Sequence, residues 1–329
     1  MEISKELQES INRQLDKQKW YDGLRQEAET LNQESRQELL DLVNSTLLEE
    51  NCPTINEYQI KFYPQYIGNT GIGMPLDKGL TEIIYNYYYP PAPDGEYAHF
   101  TDLIPLESIL SNKKIRLTST IKRKAHMEFK LFYDDHDIEG FKRPDDGATK
   151  DELLMKDLFY LSLTENKEPA IDIRRGMWDY FGKQGSGVKL IFDISTIHTD
   201  FRKVYYPEAP FSQDKQLVRK LMERIYAAFS KPFVFNSISK FGSFYIHAAF
   251  YDECETRYLI KRLSDDYPFP FIIHYQDTIP YIELDFVSIW GSFIPIQVQP
   301  GVNCDRNEVQ RIVDASGLSV EVLPNATSF

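Results

Sequence analysis

The spacing of the apolar residues changes at about residue 96, and that change limits the fold more than any motif does. Beyond it they fall in short runs, at 97–100, 115–117, 159–163, 188–192, 251–260, 281–289 and 319–323. Their length and their aromatic and β-branched content predict strands. Three stretches, 105–110, 217–229 and 306–315, carry helical spacing instead. Thr101 and Asp102 offer N-caps to the first, and Gly317 stands where a helix C-cap belongs on the last. Residues 134–152, rich in Asp, Gly and Pro, predict a loop. Strands and helices do not alternate regularly and no repeat is present, so the expectation is a mixed α+β domain and not a doubly wound one.

The first 50 residues read differently. Ile3, Leu7, Ile11 and Leu15 recur every fourth residue, and Leu39, Leu40, Val43 and Leu47 continue a helical stripe. Asp22-Gly23 predicts a break between two helices, because glycine costs about 1 kcal/mol inside one. Twelve acids against six bases leave the segment at −6, an acidic helical appendage. Its apolar stripe must dock on its own domain, on a regulatory partner or on a second copy. Residues 51–95, punctuated by Pro53, Pro64, Pro75, Pro90, Pro91 and Pro93 and by Gly68, Gly71, Gly73 and Gly79, read as a connector. Within it, 83–89 fits either a strand or the end of a helix. At 329 residues there is ample length for a large domain, here 96–329, beside these pieces.

Lys plus Arg number 37 against 50 Asp plus Glu, a net charge of −13, which argues against a general nucleic-acid coat. A local basic patch remains open at Lys113, Lys114, Arg116, Lys122, Arg123 and Lys124. No apolar run approaches the roughly 18 residues of a membrane span. The charged N-terminus is unlike a secretory signal, and Cys52, Cys254 and Cys304 are scattered, so the expected location is cytoplasmic with no membrane contact.

Three stretches carry candidate chemistry. On a strand at 251–260, Glu253, Glu255 and Arg257 project from one face. Adjacent like charges push one carboxylate toward neutrality, while the arginine pulls the other toward ionisation. The bland alternative is a solvent-facing strand with one salt bridge. His99 and Thr101 share a face of a short strand just before a helix, where they suit a ribose or an amide, or simply core packing. Trp178 and Tyr180 suit stacking on a planar ring or, again, the core. Gly182, Gly185 and Gly187 match no phosphate loop and predict a hairpin turn. Asp134, Asp135, His136 and Asp137 are contiguous, so they cannot all face one ion, and no metal site is expected. No serine-hydrolase elbow is present, and Cys254 alternates away from the two glutamates.

Read in order, Tyr97, His99, Phe100 and Thr101, then Ser108, Ile109 and Leu110, then Leu117 and Ser119, then Ser162 and Glu165, form a series. Met177, Trp178 and Tyr180, the run 187–192, Glu253, Glu255 and Arg257, and Ser328-Phe329 complete it. The series resembles a bacterial family of uncharacterised domains over residues 96–329. It departs at 122–128, where the family has an Asn-Asp-Pro turn, and at Gln299-Pro300, where it has Gly-Pro. The layout is also similar to the ADP-ribosyltransferase superfamily, above all its nucleic-acid-modifying, DarT-like branch.

That resemblance implies a mixed, mainly antiparallel split sheet and an NAD-dependent ADP-ribosyltransferase with NAD as substrate and no metal. Glu255 would be catalytic, with Glu253 orienting or activating the acceptor. His99 and Thr101 would hold the ribose or the nicotinamide amide. Ser119 or Ser162 would support the strand below, Trp178 or Tyr180 would stack the nicotinamide, and Arg257 would complete the NAD-binding set. The implied acceptor is a nucleic acid or a protein, as in a toxin or phage-defence effector. The rival readings are a non-catalytic interaction module on the same fold and an NAD glycohydrolase.

Overall fold

The structure is a computed structural model describing residues 5–64, 70–73, 79–122, 128–138, 151–166, 171–196, 200–209, 214–234, 238–262 and 269–327. Ile3, Arg123, Lys124 and the Ser328-Phe329 ending lie outside them, as does most of the loop expected at 134–152. The chain opens with α1 (Lys5–Glu34), α2 (Arg36–Glu49), β1 (Lys61–Pro64), β2 (Thr70–Gly73), α3 (Gly79–Tyr88), β3 (Gly95–Thr101), α4 (Leu103–Asn112) and β4 (Lys114–Ser119). There follow α5 (Glu128–Asp135), α6 (Asp151–Lys156), β5 (Leu158–Glu165), α7 (Ile171–Tyr180), β6 (Val188–Ser195), β7 (Phe201–Lys203), α8 (Leu217–Phe229) and β8 (Phe233–Val234). The last third holds α9 (Ile238–Gly242), a 3-10 turn (Ala248–Glu253), β9 (Glu255–Lys261), β10 (His274–Gln276), β11 (Ile279–Asp285), β12 (Val287–Ser288), β13 (Gly291–Pro300), α10 (Arg306–Ser316) and β14 (Glu321–Val322).

Two compact units emerge. The first joins the residues up to Tyr88 with Lys215–Ile238. In it α1 runs unbroken through Gly23; the neighbours Leu24 to Ala28 are mostly good helix formers that offset one glycine, and Asp22 accepts a hydrogen bond from Gln18 one turn back. The chain turns at Ser35 instead. Leu39, Val43 and Leu47 of α2 are buried, and α2 packs on α8, which buries Leu217, Val218, Leu221 and Ile225. The α2 part of the stripe thus finds its cover on a helix from far downstream, whereas Leu15 on α1 is 53% exposed. Residues 83–88 belong to helix α3, with Ile84, Tyr85 and Tyr88 buried. β1, β2 and β8 form a three-stranded sheet. The boundaries drawn at 50 and 95 therefore do not coincide with these units, because the core here is completed by α8 and β8, which composition does not link to it.

The second unit, which takes Tyr89 to Asp214 and Ser239 onward among the described residues, is a mixed, mostly antiparallel open sheet, so the α+β class holds. Its strands run in the order β10-β11-β4-β5-β3-β6-β13-β12, with β14 beside β13, β9 beside β5, and β7 beside β9. The central strands read as continuous apolar runs because both faces are covered: Leu158, Phe159, Tyr160 and Leu161 of β5 are all buried. Asp102 caps α4 by accepting from the Leu103 N–H, and Gly317 ends α10 in the left-handed region (φ 65°). The glycine-rich turn leads from helix α7 into β6 and so is not a hairpin. Gly187 is required there: a Cβ would come within 2.4 Å of the Thr101 carbonyl oxygen. Among the described residues no helix is long and apolar enough to cross a membrane.

Candidate active site

The sheet parts at β5. One edge of that strand carries two partners: Phe159 and Tyr160 pair with β4, and Thr164 and Glu165 pair with β3. Between these pairings β3 and β4 diverge, leaving a gap opposite Leu161 to Leu163. His99 closes part of it, its Nδ1 lying 3.0 Å from the Ser162 carbonyl oxygen. Since a carbonyl only accepts, Nδ1 donates and Nε2 is left as the ring's acceptor. Burial lowers the His99 pKa, opposed by the bond to Ser162, so the imidazole is neutral at pH 7.

A cleft of about 950 Å³ opens at this split. Its floor and walls come from Ala98 to Thr101 on β3, Tyr160 to Thr164 on β5, Ile104 and Ser108 on α4, Met177 and Phe181, and Glu253. Lys114 and Arg116 line it from β4, Lys122 from the turn that follows, and Gln276 and Tyr281 from the β10–β11 hairpin. The Arg116 guanidinium lies 3.8 Å from the centre of the Tyr281 ring and donates through Nη1 to Gln276 at 2.7 Å. This holds a positive charge in a fixed place. Lys114 stands 3.8 Å from Glu283 and 3.9 Å from Asp285, partly exposed contacts that hold it weakly.

Of the residues singled out in the sequence, His99, Thr101, Ser162 and Glu253 meet at this cleft. Ser119 does not: it is buried, and its Oγ donates to the Met155 carbonyl at 2.8 Å. Trp178 is buried edge-on against Phe100, with ring centres 5.0 Å apart, while Tyr180 is 84% exposed on the last turn of α7. Neither lines the cleft, because α7 presents Met177 to it and turns both aromatic faces elsewhere.

The expected face of Glu253, Glu255 and Arg257 is corrected. Residues 248–253 coil into a 3-10 turn, closed by Cys254 in the left-handed region (φ 44°), and the strand begins only at Glu255. The reversal at Cys254 swings Glu253 to the cleft, while Glu255 and Arg257 stay together on β9. There Arg257 Nη2 donates to Glu255 Oε2 at 2.9 Å, with both side chains buried.

Arg116, Gln276 and Tyr281 were not legible as site residues. Arg116 stood within a basic stretch, but its partners come from a hairpin more than a hundred residues away. In the acidic stretch, Tyr245 donates to Asp135 at 2.8 Å and Lys130 to Asp134 at 2.8 Å. Among the described residues no group of three His, Cys, Asp or Glu is placed to hold a metal ion.

No protein-family model, no curated protein and no solved structure matches this chain.

Proposed function

We propose that the cleft binds NAD as a substrate and that the protein is an NAD-dependent ADP-ribosyltransferase built on a split sheet of that type. One observation carries the reading: where β3 and β4 part from β5, a neutral histidine, two hydroxyl-bearing residues and the Glu253 carboxylate converge on one cleft that also holds Arg116 and Lys122 beside Asp277 and Glu283. A volume near 950 Å³ is at the upper end for ligand pockets and suits a dinucleotide. Arg116 and Lys122 match the charge of a pyrophosphate. His99 Nε2 can accept from a ribose hydroxyl, and Thr101 and Ser162 can donate to one.

The chemistry follows from that placement. The bond between nicotinamide and ribose breaks with its electron pair leaving on the nicotinamide nitrogen, which becomes a neutral ring. The ribose carbon develops oxocarbenium character, and a carboxylate beside it stabilises that charge. Glu253 is the carboxylate at the cleft, whereas Glu255 is shut behind its ion pair with Arg257. An acceptor nucleophile then bonds to the ribose carbon and loses its proton to Glu253 or to solvent. A nucleic acid or a protein side chain as acceptor makes the enzyme a transferase of the toxin or defence kind, working in the cytoplasm; water makes it a glycohydrolase.

Labelled NAD incubated with the protein alone, and with RNA, DNA or lysate protein, tests this. The expected result is free nicotinamide, with label on one class of acceptor. NAD at ten times its dissociation constant should also stabilise the fold by about 1.4 kcal/mol. No release with any acceptor and no stabilisation would overturn the reading in favour of an interaction module.

A further inference from the structure

We propose that the buried pair Glu255 and Arg257 consists of positioning residues that fix Glu253 and the Tyr160 wall at the cleft; the catalytic part of this claim rests on the reading of Glu253 given above. Glu255 is 2% exposed and Arg257 is fully buried. They stand two apart on β9 and so share a face, opposite Thr164 and Ser162 on β5.

Their contacts join the cleft-facing junction to the segments packed behind it. Arg257 holds Glu255 Oε2 at 2.9 Å and donates through Nη1 to the Ser243 carbonyl. Its guanidinium lies 4.7 Å from the centre of the Tyr160 ring, whose side chain forms part of the cleft. The Glu255 N–H donates to the Tyr206 hydroxyl at 2.9 Å, and the Glu255 carbonyl accepts from Val204 at 2.9 Å. One residue earlier, the Cys254 N–H donates to Tyr251 at 3.1 Å while its carbonyl accepts from Thr164 Oγ1 at 3.4 Å.

Cys254 and Glu255 are thus both tied down, and the reversal at Cys254 has one setting relative to β5. That setting decides where Glu253 stands. A buried ion pair is a poor way to stabilise a fold, because desolvation offsets its attraction and an apolar pair of the same size often serves as well. Its retention beside the cleft fits a demand on geometry. Arginine's planar fork satisfies the carboxylate, the carbonyl and the ring face together, which lysine cannot.

Two readouts separate this proposal from the one before it. Cys254 is exposed and is the neighbour of both glutamates, while Cys52 and Cys304 are buried, so the thiol-labelling rate of Cys254 reports on the junction without any NAD. In Glu255→Gln, in Arg257→Lys and in the charge-free double variant Glu255→Leu/Arg257→Met, that rate should rise several-fold. Unchanged rates in folded variants overturn the proposal, whatever NAD does. Where wild type releases nicotinamide, the same variants should lose about 10–100-fold in kcat with KM for NAD within about twofold, as outer-shell changes do. In a Glu253→Gln background they should cost nothing further. An additive loss would mean that the pair acts on its own and would likewise overturn it. Absence of release by wild type counts against NAD chemistry alone, and the labelling rate still decides the positioning role.

Discussion

The two units differ in how deeply they bury charge. In the helical unit the ion pairs are exposed or partly buried: Arg224 donates to Glu49 at 2.9 and 2.7 Å, Lys231 reaches Glu27, and Lys220 reaches Glu50. The sheet unit has exposed pairs too, such as Arg311 with Glu308, but there charge also goes fully inside. Arg257 meets Glu255 with neither exposed, Arg202 at 1% exposure donates to the Tyr89 carbonyl at 2.7 Å, and Asp200 pairs with Lys240 at the edge of the buried region. An exposed pair contributes about 0.2–1 kcal/mol, whereas a buried one carries a desolvation cost of several kcal/mol per ion that only close partners offset. The fully buried pair of charges holds side chains in place, and the cleft lies in the unit that contains it.

The contrast can be broken by single substitutions. Arg257→Ala strands a buried carboxylate and should cost about 3–5 kcal/mol in urea unfolding; a cost below 1 kcal/mol would remove the distinction. Intermediate in size is a pH effect within the helical unit. Lys215 donates to the Tyr88 carbonyl at 2.8 Å, and burial brings its pKa down to about 8. The unfolded lysine titrates near 10.4. Between those values the unfolded chain holds a proton that the folded one lacks, so stability rises with pH there, and the penalty is full below pH 8. The stability gap between Lys215→Met and wild type should therefore shift in favour of wild type from pH 7 to pH 10, and a gap independent of pH would contradict the burial argument. Smallest is Arg224→Ala, expected to cost about 0.2–1 kcal/mol and to fade with added salt. A large, salt-insensitive loss would place that pair with the buried ones.

Local signals were legible and long-range ones were not. The helical spacing at 217–229 matches α8 residue for residue, and Gly317 ends α10 with the left-handed backbone expected of it. Apolar runs at 159–163 and 188–192 lie within β5 and β6. Nothing local revealed that α8 completes the core around α2, or that β5 serves two strands along one edge. Gly23 shows the limit of propensity, since about 1 kcal/mol is readily outweighed in a 30-residue helix. At the site, which of the two glutamates reaches the cleft turned on one backbone angle. Cys254 at φ 44° ends the alternation that a strand through 251–260 would impose, and no sequence pattern marks a cysteine for that conformation.

The most direct test of the account is nicotinamide release by wild type beside Glu253→Gln, with both proteins folded and both stabilised by NAD. The account predicts release by wild type and a loss of about 10²–10³ in the variant, the scale seen when one preorganised charge-stabilising group is removed. Equal rates in the two proteins would contradict the assignment of Glu253 and the chemistry built on it.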